Sequence, residues 1–241
     1  MFFGKTTLLV KFLTFYGIFL ALFILKPASA DGELPNYEPK PSEENVDQRR
    51  TISSGSRSIC QSPFPKNSVF LLIPETEIAH YTTSSTPELY IYAKKTSKVP
   101  LSFRIVIPDI NADNPKFEKT LLIEKEGFYK IKLPSSFKLE DGRIYLWQIA
   151  IPCLNDFTEI DQVLRGAILK VPLTQELRNQ LSLAENSLDK ARIYAENGIW
   201  YDALSSAAKS EQYLKSAKYV EKLLKDVNID LETYNYKALE L

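Results

Sequence analysis

Apolar residues take three spacings along this chain, and each predicts a different kind of element. An apolar stretch comes first, from Phe12 to Leu25, interrupted only by Thr14, Tyr16 and Gly17. From Val69 to Leu173 the spacing becomes two. The runs there are Val69–Ile73, Glu88–Lys94, Leu101–Ile107, Lys119–Ile123, Phe128–Leu133, Arg143–Ile151 and Gly166–Val171, separated by turn signals. Leu101, Phe103, Ile105 and Ile107 share one face of their run, and Tyr145, Trp147, Ile149 and Ile151 share one face of theirs. Alternation with period two predicts half-buried strands. About seven short strands in about 105 residues is the size of an immunoglobulin-like β-sandwich.

After Pro172 the period becomes helical. Leu177, Leu181, Ala184, Leu188, Ala191 and Ala195 recur at steps of three and four, one face of a helix. Thr174 suits its N-cap, and Asn197-Gly198 its stop. A second helix starts near Ile199 and carries Ala203, Leu204, Ala207 and Ala208. Helix continues or restarts through Tyr213, Leu214, Ala217, Val220, Leu223 and Leu224, then frays near Asn228. Ala191, Tyr194, Gly198, Trp200 and Ala203 match much of the spacing of one tetratricopeptide unit, but a solenoid needs about three. The expectation is therefore a helical hairpin or three-helix segment packed on the sandwich or on a partner.

One local motif sharpens the sandwich reading. Leu139, Gly142 and Tyr145 stand at the spacing of a tyrosine corner, in which a Tyr near the start of the sixth strand bonds back to the preceding corner.

The opening apolar stretch changes the setting. It is short for a membrane span, which needs about 20 residues. It follows Lys5 and Lys11 and precedes Ala28-Ser29-Ala30, so it reads as a signal peptide cleaved after Ala30. The chain is expected to be exported, periplasmic or extracellular, with no membrane insertion after cleavage. Residues 31–57 hold many charges and few apolar side chains, which predicts a disordered tether. The full expectation is an α+β chain: 1–30 signal peptide, 31–57 tether, 58–173 sandwich, 174–241 helical segment.

Charge adds little. Lys+Arg and Asp+Glu number 30 each, and loss of Lys5, Lys11 and Lys26 leaves the mature chain at about −3. Nothing there attracts nucleic acid. The two cysteines, Cys60 and Cys153, are an even count in an exported chain, which favours a disulfide over two free thiols. With the single histidine, His80, they are too few for a structural zinc site.

Chemistry is sparse. No nucleophile elbow, phosphate-binding glycine loop or zinc-protease motif occurs. Asp109, Asn111, Asp113 and Asn114 suggest a calcium loop, but Asn114 and Thr120 stand where Gly and Glu are required, so a polar turn is expected. His80 reads as a surface-loop residue beside Tyr81. Glu140, Asp141 and Asp156 read as turn acids rather than a glycosidase pair. No cofactor or metal is expected. Trp200 and Tyr201 are adjacent at a helix start and cannot both face one core. They are the candidate partner-binding residues, since aromatics are enriched at binding hot spots.

Several strings occur together: Ser54-Gly55-Ser56-Arg57-Ser58-Ile59-Cys60, Leu71-Leu72-Ile73-Pro74, Phe103-Arg104-Ile105, Gly142-Arg143-Ile144-Tyr145-Leu146-Trp147 with Cys153, and Gly198-Ile199-Trp200-Tyr201-Asp202-Ala203-Leu204. Their order and spacing resemble the cyanobacterial domain-of-unknown-function 928 family, over roughly residues 50 to 230. The Gly198–Leu204 string is the most specific. In that family a break often follows the second helix, whereas here the helix is expected to run on. The resemblance implies a bacterial envelope setting and no chemistry. The functional expectation is an exported, non-enzymatic module that binds another envelope or secreted protein. Carbohydrate binding by aromatics on a solvated sheet face and a hydrolase of unrecognised type stay open as alternatives.

Overall fold

All seven alternating runs form strands. The computed structural model describes residues 34, 36–40, 51–52, 60–74, 78–108, 115–210, 213–229 and 239–240, all within the unit Glu33–Leu241. The strands are β1 Thr51–Ile52, β2 Val69–Leu71, β3 His80–Thr82, β4 Glu88–Ala93, β5 Ser97–Val106, β6 Phe117–Ile123, β7 Gly127–Lys132, β8 Ile144–Pro152, β9 Ile160–Lys170 and β10 Leu239–Glu240. The helices are α1 Gln175–Ser182, α2 Ser187–Glu196, α3 Trp200–Ala208 and α4 Tyr213–Asp226. The expected signal peptide and its cleavage site lie outside the described residues, as does the Asp109–Asn114 stretch.

The chain is α+β with two sheets. One runs β1-β9-β8-β5-β6, with β3 also paired to β9, and the other runs β10-β7-β4-β2. Three strands were not expected: β1, β3 and β10. Each is only two or three residues long, too short to show a period. Two of them pair in parallel, β3 with β9 and β10 with β7, whereas the other ladders are antiparallel.

The register places Phe103 opposite Ile149 and Ile105 opposite Trp147. These residues are fully buried, together with Leu89, Ile91 and Ile131 of the second sheet. In β4 the polar phase of the alternation is buried too, because Tyr90 and Tyr92 are covered. On that strand Glu88 is held by α3: Ser205 Oγ donates to Glu88 Oε2 at 2.7 Å, and Lys209 Nζ lies 3.1 Å from the same oxygen.

Among the described residues the helical segment has four helices, where a hairpin or three were expected. The face from Leu177 to Ala195 is cut in two after Ser182. Asn186 is the reason: its side chain accepts from the Leu188 and Asp189 N–H groups, and Asp189 closes a capping box. A capping box satisfies the free N–H groups of a new helix start. The apolar steps continue across the cut, so periodicity alone does not reveal it. Thr174 is the N-cap of α1, accepting from Leu177 N–H. After α3 the chain also breaks and restarts at α4, where an uninterrupted helix was one expectation.

Candidate functional site

The string Gly198–Leu204 begins at the turn between α2 and α3. Gly198 has φ +72°, and a Cβ there would stand 2.8 Å from the Glu38 carbonyl oxygen, so both backbone shape and space require glycine. Ile199, Trp200, Tyr201, Ala203 and Leu204 are all buried. Trp200 Nε1 donates to the Leu72 carbonyl at 2.9 Å, and Tyr37 meets its ring edge-on with centroids 4.8 Å apart.

Tyr201 points into the other sheet. Its hydroxyl accepts from Trp147 Nε1 and donates to the Ala167 carbonyl, both at 3.0 Å. Burial holds its phenol far above the usual range. Gly166, which faces Trp147 across the β8–β9 ladder, leaves the indole its room: a Cβ there would lie 2.4 Å from Trp147 Nε1.

Asp202 completes the attachment. It accepts from Thr82 Oγ1 at 2.6 Å and from Thr83 N–H and Thr83 Oγ1, each at 3.0 Å. Burial pushes its carboxyl up, against the pull of those donors. α3 thus reaches β3 of one sheet and β4 of the other.

This overturns Trp200 and Tyr201 as a partner-binding pair. Trp200 is 0% exposed and Tyr201 is 3% exposed, so neither offers surface to a partner. Adjacent residues do face different directions, as expected at a helix start. Here both directions are interior, because the start of α3 is wedged between Leu72 and Ala167.

His80 is also corrected. It sits on β3, buried, with Nδ1 3.4 Å from the Tyr37 hydroxyl. Burial lowers its pKa to about 4, opposed by a hydrogen bond to the Pro74 backbone. The expected tether is corrected at residues 36–40 and 51–52. Tyr37 is buried against Trp200, and β1 pairs with β9.

Tyr145 is buried, and its hydroxyl accepts from the Glu140 N–H at 3.1 Å, the backward bond of a tyrosine corner. Leu139 is buried beside it in the core, and Gly142 turns the chain at φ +72°. Of the turn acids, Glu140 pairs with Arg143 and Asp141 with Lys170. Asp156 accepts from Thr158 N–H and Oγ1. Among the described residues no group of three or more His, Cys, Asp or Glu is placed to hold a metal ion. Trp147, Trp200, Tyr90, Tyr92, Tyr145 and Tyr201 are buried, so none of these rings is open to stack on a sugar.

Cys60 and Cys153 form a disulfide, with Cα atoms 5.3 Å apart. It anchors the β8–β9 hairpin tip to the segment before β2. Leu154 N–H donates to the Gln61 carbonyl at 2.7 Å, and Gln61 N–H donates to Asn155 Oδ1 at 3.2 Å. Cys153 N–H donates to the Glu159 carbonyl, closing the hairpin. On this braced loop Leu154 is 45% exposed and Phe157 is 64% exposed. Sequence reasoning missed both. The available signal was two large apolar side chains inside a turn of otherwise polar residues, Asn155-Asp156 and Thr158-Glu159.

No curated protein matches the chain. The family profile described as Domain of Unknown Function (DUF928) matches residues 52–237. That span contains both cysteines, the corner at Tyr145 and the wedge at Gly198–Leu204, and by that match the chain belongs to the DUF928 family.

Proposed function

We propose that the chain is an exported, non-enzymatic module that docks on another envelope or secreted protein through the β8–β9 tip. The observation that carries this reading is the exposure of Phe157 and Leu154 on a loop braced by the Cys60–Cys153 disulfide. A rigid loop loses little conformational freedom on binding, which favours affinity. Asp156 beside Phe157 is held ionised by its Thr158 hydrogen bonds, which favours a protein partner over an anionic lipid surface.

Export rests on the basic start, the apolar stretch and Ala28-Ser29-Ala30, and the disulfide suits an oxidising compartment. Among the described residues no helix is long and apolar enough to cross a membrane. The cyanobacterial envelope belongs to the same reading. So does the immunoglobulin-like class, supported by the split of the seven expected strands into β2-β4-β7 and β6-β5-β8-β9 and by the tyrosine corner before β8.

The test is co-purification from the native envelope fraction, with a C-terminal tag and reversible crosslinking. The double variant Leu154→Ser, Phe157→Ser is expected to keep its fold and lose the partner captured by the wild type. An unchanged set of captured proteins would refute the tip as the docking surface.

A further inference from the structure

Residues 36–40 meet the rest of the described chain through the Tyr37 side chain, two backbone N–H groups, and the Glu38 carbonyl and Lys40, which lie over Gly198. Tyr37 is the only buried side chain among the described residues from 34 to 40. Its ring stands edge-on to Trp200 and its hydroxyl lies beside His80 Nδ1. Tyr37 N–H donates to Asp226 Oδ2 at 3.1 Å, and Glu38 N–H donates to the Ala195 carbonyl at 3.4 Å.

The receiving surface is assembled without this segment. Trp200 is held by the Leu72 carbonyl, and α3 by the Asp202 bonds to Thr82 and Thr83. An aromatic anchor in a formed pocket, flanked by main-chain hydrogen bonds, is a recurring way to hold an extended peptide.

We propose that the cleft between His80, Trp200 and Asp226 is a binding site for an extended, tyrosine-bearing peptide, filled in cis by residues 36–40. The strap is a tethered ligand. Being part of the same chain, it fills the site as an intramolecular ligand until a competing tyrosine-bearing segment displaces it. The site shares no residue with the β8–β9 tip, so either reading can fail alone.

The test uses the full mature chain with Tyr37→Ala, which removes the anchor and leaves the cleft. It is titrated with a synthetic peptide of residues 33–40 (ELPNYEPK) and with the same peptide carrying Ala for Tyr. Tryptophan emission and the anisotropy of labelled peptide are the readouts. The expected result is saturable binding of the tyrosine peptide, about tenfold or more tighter than the alanine peptide and than either peptide on the wild type. A folded variant with no saturable binding, or equal binding of both peptides, overturns the proposal. If Tyr37→Ala does not fold, a site-specific protease site placed within 41–50 of the otherwise wild-type chain frees the strap in the folded protein. Exchange of the freed strap for labelled peptide supports the proposal; a strap that never exchanges, or unfolding on cleavage, overturns it.

Discussion

Two stretches carry conspicuous large apolar side chains, and they end in opposite places. The Gly198–Leu204 stretch has Trp200 and Tyr201 side by side, and both are interior. The Cys153–Glu159 stretch has Leu154 and Phe157 separated by polar residues, and both are exposed. The difference lies in what each stretch reaches. The start of α3 meets Leu72 and Tyr37 on one side and Trp147 and Ala167 on the other, with a polar partner for each aromatic heteroatom. The hairpin tip meets Gln61 through the Leu154 N–H and Asn155 Oδ1 and is bridged by the disulfide, while Leu154 and Phe157 are exposed. Trp200 and Tyr201 serve packing, whereas Leu154 and Phe157 face solvent.

The contrast is tested most severely at Trp200. Trp200→Ala removes a fully buried indole and leaves the Leu72 carbonyl without its donor. Such truncations cost about 3–5 kcal/mol, so chemical denaturation is expected to show a large loss or no folded protein. Replacing both Cys60 and Cys153 by Ser is expected to cost about 2–5 kcal/mol, read the same way, because the bridge closes a separation of 93 residues.

His80 adds a pH dependence to the interior region. Its pKa falls from 6.5 to about 4 on folding, because burial disfavours the charged ring. The unfolded chain therefore binds the proton first. Its contribution is fully present above pH 6.5 and is lost as pH falls towards about 4, roughly 3 kcal/mol in all. The Asp202 carboxyl, pushed up by burial, acts with the opposite sign, losing stability as pH rises through its folded pKa. Denaturation midpoints of wild type and His80→Gln across this window isolate the histidine: the variant is expected to lose less stability on acidification. At the tip, Phe157→Ala is expected to shift stability by no more than about 0.5 kcal/mol in the same assay. A large loss there would mean that the tip, too, is part of the core.

The parts of the fold that were legible were those with a sustained period. β4, β5, β8 and β9 each span six or more residues, and their alternation placed Phe103, Ile105 and Trp147 on a buried face. The spacing of Leu139, Gly142 and Tyr145 identified a bond of five residues' reach. The cysteine count anticipated the bridge. What stayed illegible depends on distant partners. Tyr37 looks like a tether residue until Trp200 and His80 are brought to it. β3 is three residues long and owes its strand to β9. The burial of both Trp200 and Tyr201 requires a helix start with structure on two sides, which no period within α3 encodes.

The Gly198–Leu204 stretch is interior at both of its aromatic residues. Steady-state quenching of tryptophan emission by iodide and acrylamide tests it directly, because Trp147 and Trp200 are the only two tryptophans in the chain and both are 0% exposed. The expected result is a blue-shifted emission that iodide leaves nearly unquenched until denaturant is added. A native emission of which a substantial fraction is quenched by iodide would place a tryptophan in solvent and contradict it.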